Sequence, residues 1–446
     1  MRLTRKARSA TKARSAIAFT KASVDAYLNT HGGIRTKEKG DQGEVFTPVS
    51  VIDDMLALLP SSVWKNKDLR WLDPACGFGQ FPLKILVGGR GYSGLLEGLQ
   101  DAIPDRSQRL DHILGTMLTC VDVNGEHTAS LRRFYKNSVT GSLIRTGDAL
   151  SMSFPHPFDI VVGNPPYNQG GVKRVGEKRI HVRFAERALH LLTPKGLLLF
   201  VCPPSYREAG STMNRLFQEA GGFREIVMID PDRTHRLFGI QSRVDLFLFD
   251  KAYKGATHIV DSKGHSSTVH LDLTKHVPNY GHTIFEKLRA KGSAAVHGSR
   301  SAEATTTRCS AFSKRGRYTF LHLIVEGGRK ILRRTRKHRN QQTPKLLLNG
   351  LGVPYVFYDR EGRYGATQVP VVIPNPPKAL VEFTKTPLFY YILGGLKLTG
   401  NNNLPYMLED IPKGYGRDLA FTKEEQEQID AVKVPVFEDR DLPSTC

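Results

Sequence analysis

Phe158-Asp159-Ile160-Val161-Val162-Gly163-Asn164-Pro165-Pro166-Tyr167 joins the end of a buried strand to a polar loop. Ile160, Val161 and Val162 supply the strand, and Gly163 with two prolines then forces the chain out of the sheet. Because proline lacks an N–H and fixes φ, the loop holds the Asn164 side-chain amide and the Pro165 carbonyl as rigid acceptors beside the flat face of Tyr167. Two acceptors next to an aromatic platform suit the gripping of a planar amino group and the stacking of the ring or amide that bears it. The tripeptide recurs at Asn375-Pro376-Pro377 without the combined strand-plus-aromatic setting, and there it reads as a loop.

Upstream, Phe46-Thr47-Pro48 opens a helix in which Val51, Ile52, Met55, Leu56 and Leu59 recur at helical spacing, with Thr47 or Ser50 as its cap. A helix N-terminus carrying a hydroxyl is a natural seat for a carboxylate. Leu69 to Asp73 is a strand feeding the loop Pro74-Ala75-Cys76-Gly77-Phe78-Gly79, whose glycines let backbone approach a ligand, and helical spacing resumes from Phe81. Met117 to Asn124 is the next strand, and Asp122 at its end stands where doubly wound folds grip ribose hydroxyls. Asp122 lies 43 residues beyond Gly79, about twice the usual ~20, which predicts a long helix plus an insertion across Gly88 to Asp111. A basic helix with Arg132, Arg133 and Lys136 leads to Gly147-Asp148, a second candidate acid.

Downstream, Gly170 to Arg179 is glycine-rich and basic, suited to a mobile loop near phosphates. A helix over Ala185 to Leu192 carries His190 and follows His181, neither of which is given a role. Gly196 to Cys202 is a wholly apolar strand broken by Pro203-Pro204-Ser205-Tyr206, and Glu225 to Asp230 is another strand. Leu237-Phe238-Gly239 reads as a loop before an edge strand ending at Phe249. From Gly255 to Arg315 the composition shifts to Ser, Thr, His and Lys, as in a linker or hinge. Arg329, Lys330, Arg333, Arg334, Arg336 and Lys337 then form a dense basic run that reads as a phosphate contact, ahead of strands at Leu346 to Tyr358 and Gln368 to Ile373.

The 446 residues allow two domains, and a formal net charge of +21 points to a polyanionic partner, nucleic acid before membrane surface. No run of about 18 apolar residues appears. Cys76, Cys120, Cys202, Cys309 and Cys446 are odd in number and lack Cys-x-x-Cys spacing, which argues for a reducing compartment and against disulfides or structural zinc. Residues 1–24 hold seven Lys or Arg and no acid, and read as a flexible basic arm, with an organelle transit peptide as the weaker alternative.

The order of a Phe-Thr-Pro segment, a glycine loop, an acid-tipped strand, Gly-Asp and Asn-Pro-Pro-Tyr resembles the gamma class of adenine-N6 DNA methyltransferases, over Gly43 to about Asp250. The resemblance implies an α/β fold: a Rossmann-like S-adenosylmethionine methyltransferase domain with a mixed sheet over residues 25–252, then an α+β target-recognition domain over 253–446. It implies S-adenosylmethionine as cofactor, with Thr47, Asp73, Ala75, Gly77, Asp122 and Asp148 against it, Asp148 accepting from the adenine amine. Asn164, Pro165, Pro166 and Tyr167 become the active site, and Tyr167 and Phe238 sandwich the extruded base; no metal is implied. Adenine is favoured over cytosine because cytosine-N4 enzymes typically carry Ser in place of Asn.

Phe78 departs from the pattern, standing where a small residue is common, and narrows the pocket unless it points outward. The ending around Leu388 to Pro405 resembles, more loosely, the target-recognition regions of type II restriction-modification methyltransferases. The implied setting is a monomer acting on double-stranded DNA in the cytoplasm, nucleoid-associated or viral, beside a separate cognate restriction endonuclease. Three alternatives stay open. A protein-glutamine methyltransferase shares Asn-Pro-Pro-Tyr but is not expected to carry the Phe-Thr-Pro segment or the positive charge. A bifunctional restriction enzyme needs a nuclease domain, and 42 residues precede Gly43. A non-catalytic DNA-binding protein on the same fold would not bind the cofactor.

Overall fold

The computed structural model describes residues 19–31, 46–135, 143–167, 179–300, 316–398 and 405–443. The chain forms two compact units, Met1–Tyr206 with Ser211–Ile240 and Val244–Thr257, and Arg207–Gly210 with Gln241–Arg243 and His258–Cys446. Among the described residues no helix is long and apolar enough to cross a membrane. The loop expected over Gly170 to Lys178, Lys136, Cys309, Cys446 and the run Thr399 to Leu404 lie outside the described residues.

The first unit is built on β1 (Trp71–Asp73), β2 (Leu118–Asp122), β3 (Ile144–Thr146), β4 (Phe158–Gly163), β5 (Leu192–Cys202), β6 (Gly222–Ile229) and β7 (Val244–Asp250). Their spatial order is β3-β2-β1-β4-β5-β7-β6. The first five are parallel and β7 runs antiparallel between β5 and β6, so the sheet is mixed. Strands covered on both faces need continuous apolar runs, and β2 and β7 are buried at every residue. The strand order reverses between β1 and β4, where Leu72 pairs with Val161, and a crevice at the carboxyl ends of such strands is where open α/β sheets bind ligands.

Helices α1 (Lys21–His31), α2 (Val49–Leu56), α3 (Gln80–Val87), α4 (Leu95–Gly98), α5 (Arg106–His112), α6 (Gly125–Tyr135), α7 (Ile180–Leu191), α8 (Thr212–Ala220) and α9 (Pro231–Phe238) complete this unit. Several expectations change. The long helix after the glycine loop is only eight residues, α3, because Gly88 at φ 78 ends it; α4, α5 and a π-helical turn over Ile113–Met117 fill the extra length. The N-cap of α2 is Pro48 with no side-chain cap bond, so neither Thr47 nor Ser50 caps it. The described end of the basic arm is no loose tail, since Phe19 and the α1 residues Val24 and Leu28 are buried. Lys84, buried on α3, pairs with Asp53 at 3.2 Å and Asp25 at 3.9 Å, which ties α1 and α2 to α3.

Phe238 does not sit in a loop. Asp230 caps α9 by accepting from the N–H groups of Asp232 and Arg233, Pro231 follows, and Gly239 at φ 68 closes the helix. The strand after it is interior, not an edge, because β6 covers its far side.

The second unit holds α+β structure. Beyond Asp250 come β8 (Thr257–Val260), β9 (Ser266–Val269), α10 (His282–Ala290), β10 (Ser299–Arg300), β11 (Tyr318–Val325), β12 (Gly328–Arg334), β13 (Lys345–Leu348), β14 (Val356–Asp359), β15 (Tyr364–Ala366), β16 (Val371–Pro374), α11 (Lys378–Phe383), α12 (Pro387–Leu396), α13 (Lys423–Asp430) and β17 (Asp441–Pro443). Two four-stranded sheets run β10-β16-β13-β14 and β15-β11-β12-β17. The stretch read as a linker is instead folded where described: Ile284, Phe285 and Leu288 of α10 lie in the core with Tyr391, Ile392 and Leu396 of α12. The second Asn-Pro-Pro follows β16, where a strand was expected, and leads into α11; Asn375 takes φ 48 and is exposed, and Pro377 stands at the N-cap of α11.

Candidate active site

Asp73 ends β1 and is fully buried. Its Oδ1 accepts from the Ala75 N–H at 3.1 Å, and its Oδ2 has no hydrogen-bond partner among the described residues. Burial, with the Asp122 charge adding a little, pushes this carboxyl well above the ordinary carboxylate value. The loop then returns across the sheet, the Cys76 N–H donating to the Val121 carbonyl at 2.9 Å. Gly77 and Gly79 take φ of 53 and 89, and a Cβ on Gly79 would lie 2.5 Å from Leu131. The positive φ is what favours glycine at Gly79, where Leu131 of α6 packs on this turn.

Asp122 closes the loop from the neighbouring strand. Its Oδ2 accepts from the Gly77 N–H at 2.8 Å and its Oδ1 from the Asn124 N–H at 2.8 Å, while His127 Nδ1 stands 3.3 Å from Oδ1. A carboxylate offers about four lone-pair positions, so acceptor capacity remains beyond these contacts. The Gly147 N–H donates to the Asp122 backbone carbonyl at 2.9 Å, which brings the β3 loop alongside. Asp148 in that loop is exposed and accepts from the Leu150 N–H at 3.0 Å. Sequence reasoning passed over Val123, 68% exposed between Asp122 and Asn124; an apolar residue directly after a strand-end acid was the available signal.

Phe78 packs in an aromatic group, with ring centroids 4.3 Å from His127, 5.3 Å from His31 and 5.9 Å from Phe46. It lines a hollow of about 420 Å³ with His31, Glu126 and Arg133, and none of Asn164 to Tyr167 borders it.

At the end of β4, Gly163 has φ 157, and a Cβ there would stand 3.0 Å from Asp73 Oδ1. This close approach sets Asn164 next to the glycine loop. The Asn164 Nδ2 donates to Thr47 Oγ1 at 3.0 Å, across 117 residues of sequence. With Nδ2 committed as donor, the amide oxygen is the group turned to accept elsewhere. The Thr47 hydroxyl, itself buried, keeps its own proton to donate. Tyr167 is 8% exposed, so its ring face lies inside the unit instead of forming an open platform. Its hydroxyl finds no partner among the described residues, and burial pushes the phenol well above its ordinary value. Phe238, expected as the second stacking residue, is buried at 4% as the last residue of α9.

The basic run divides by burial along β12 and the turn beyond it. Arg329 is not a phosphate ligand: it is buried on β12, bonds Asp439 and Asp441, the latter at 2.8 Å, and stacks 4.6 Å over Phe357. Lys330 and Arg334 are half-buried, and Arg333, Arg336, Lys337 and Arg339 are exposed. Behind them Lys345, fully buried, pairs with Asp359 at 2.8 Å and donates to the carbonyls of Asn340 and Thr343. Among the described residues no cluster of His, Cys, Asp and Glu suits a metal ion.

Residues 125–234, from α6 through Asn164 to Tyr167 and into α9, match the Eco57I restriction-modification methylase family. An uncharacterized adenine-specific methylase of Mycoplasma pneumoniae is 37% identical over 93 residues, 20% of this chain and 21% of that one. A tRNA1(Val) (adenine(37)-N6)-methyltransferase of Vibrio vulnificus is 29% identical over 108 residues, 22% of this chain and 44% of that one. The chain thus spans less than half the length of these curated relatives. Among solved structures, a nuclease-deletion mutant of the Type ISP restriction-modification enzyme LlaGI in complex with a DNA substrate mimic superposes with a TM-score of 0.54 at 12% identity, covering 86% of this chain and 54% of that one. That likeness is one of fold. In its Rossmann-like fold and in the sequence around Asn-Pro-Pro-Tyr, the chain is similar to the adenine-specific methylases of restriction-modification systems.

Proposed function

We propose that the protein transfers a methyl group from S-adenosylmethionine to the N6 amine of an adenine turned out of double-stranded DNA. The observation that carries this reading is the Asn164 amide, held by Thr47 at the end of β4, beside the buried Asp73 and the glycine loop. A buried carboxylate oxygen without a partner fits the cofactor's ammonium, and two glycines at positive φ leave room for its backbone approach. Asp73 would hold the ammonium, and Thr47 with the start of α2 the carboxylate. Asp122 would hold the ribose hydroxyls, Asp148 the adenine amine and Val123 the flat face of that ring; Ala75 and Gly77 line the path between.

The cofactor supplies an electrophilic methyl on a sulfonium; the protein supplies place and direction. The Asn164 amide oxygen and the Pro165 carbonyl accept the two N6 protons, which turns the nitrogen lone pair toward the methyl carbon. The surplus N6 proton leaves to solvent after transfer. Tyr167 stacks on the base when it is drawn in, which recovers part of the few kcal/mol spent on extrusion. Pro166 keeps the turn rigid because its ring fixes φ.

The second unit, with Arg333, Arg336 and Lys337 exposed and Lys330 and Arg334 half-exposed, serves target recognition and phosphate contact. The protein works as a monomer on DNA in the cytoplasm, beside a separate restriction endonuclease. The test is incubation with tritiated S-adenosylmethionine and, in parallel, plasmid DNA, total RNA and cell protein, followed by nucleoside and amino-acid analysis. The expected product is N6-methyladenine in DNA. Label in RNA alone or in glutamine of protein would replace this reading.

A further inference from the structure

His181, the second residue of α7, is 1% exposed and sits between two loops at the carboxyl end of the sheet. Its Nδ1 stands 3.4 Å from the Tyr167 carbonyl oxygen and its Nε2 2.9 Å from Ser205 Oγ. A carbonyl only accepts, so Nδ1 carries the hydrogen; Nε2 then holds a lone pair, and the Ser205 hydroxyl must donate to it. Burial holds the imidazole's pKa down to about 4, which keeps the ring neutral and this tautomer in force at working pH. Ser205 is itself fixed in the turn after β5, its N–H donating to the Pro203 carbonyl at 2.8 Å and its carbonyl accepting from Ser211 Oγ at 2.6 Å. The His181 ring also meets the Tyr167 ring edge to face at 6.4 Å.

Asn164 to Tyr167 needs such a fastening. Pro165 and Pro166 have no N–H, so the loop cannot be held by a backbone ladder, and β4 ends at Gly163. Thr47 pins the Asn164 end, and His181 reaches the Tyr167 end. We infer that His181 is a positioning residue for methyl transfer: through its Nδ1–H it holds the Tyr167 carbonyl, and so the ring and the amide of the Asn-Pro-Pro-Tyr loop, against the Ser205 turn at the end of β5. This rests on the reading of that loop as the active site. His181 touches neither cofactor nor base, so its signature is a fall in turnover with cofactor affinity intact.

The test compares the full-length protein with His181→Ala, His181→Asn, His181→Gln, Ser205→Ala and Asn164→Ala, using single-turnover transfer of tritiated methyl to plasmid DNA and calorimetric binding of S-adenosylmethionine. An Asn side chain carries an N–H donor near the place of Nδ1, whereas Gln places its amide near Nε2. Misplacement of a reacting group by an ångström costs about 10²-fold, so His181→Ala and His181→Gln should be slower by about 10- to 100-fold. His181→Asn should return to within about threefold of the parent, and Ser205→Ala should lose about three- to tenfold, all with cofactor affinity changed less than about twofold. Equal rates in the Asn and Gln variants, or parental turnover in His181→Ala, would overturn the inference; if His181→Ala does not fold, the Asn-to-Gln comparison decides alone. Asn164→Ala separates the two claims, because parental transfer in that variant defeats the active-site reading itself, whereas its loss beside an unaffected His181 series defeats only the role given to His181.

Discussion

Asn164 and Thr47 meet through one hydrogen bond, and much of the proposed chemistry depends on which way it turns the amide. Thr47→Val keeps the shape and deletes the hydroxyl, which frees the amide to rotate and removes a donor for the cofactor. Steady-state assays should show turnover reduced about tenfold or more, with Thr47→Ser near the parent. Asp73 gives a pH dependence. A carboxyl whose folded-state pKa is raised adds stability that is complete below the unfolded value and is lost as pH rises through the folded one. The ligand-free protein should therefore lose thermal stability as pH climbs above the ordinary carboxylate range, and Asp73→Asn should flatten that slope in melting scans. At this scale the sequence was legible where neighbours are local: Asp73, Ala75 and Gly77 are close in the chain, and the strand-end place of Asp122 follows from the βα repeat. The Thr47 to Asn164 bond spans 117 residues, and no local spacing encodes it.

The elements carry the site through close approaches. At Gly79 the left-handed φ of 89 strains any other side chain, and an added Cβ 2.5 Å from the tip of Leu131 would make that side chain shift. Gly79→Ala should cost about 1–3 kcal/mol, read as a lowered Tm, and should weaken S-adenosylmethionine binding more than DNA binding. Reading α9 as a loop was avoidable in principle. Asp230, Pro231 and Gly239 spell an N-cap, a first-turn proline and a left-handed stop, and these signals outweigh the reading of Leu237-Phe238-Gly239 as a loop before β7. The interior place of β7 was not legible in the same way, because β6 comes before it in the chain yet lies outside it in the sheet.

For the whole molecule, the net charge of +21 is a statement about partners, and the second unit shows how a charge run is sorted by its fold. Asp441 of β17 and Asp439 just before it, about a hundred residues later, hold Arg329 inward, which the run alone does not announce. Substituting Arg336, Lys337 and Arg339 by Ala should leave the Tm near the parent. It should reduce the slope of log affinity for plasmid DNA against log salt by about 0.9 for each phosphate no longer neutralised. Arg329→Ala should do the reverse, lowering the Tm through the lost packing of its buried side chain against Phe357 and Tyr364 while changing the salt slope little. The α/β character and the mixed sheet of the first unit were readable from the strand and motif order, whereas the folded stretch around α10 was hidden by a polar composition that its few core residues, Ile284, Phe285 and Leu288, overrule. Methyl transfer guided by the Asn164 amide is tested most directly by the yield of N6-methyladenine in plasmid DNA under single turnover, parent against Asn164→Ala, with cofactor binding measured on both. The expected result is a loss of about 10²- to 10³-fold in rate with binding retained; transfer at the parental rate by Asn164→Ala would contradict the role given to that amide.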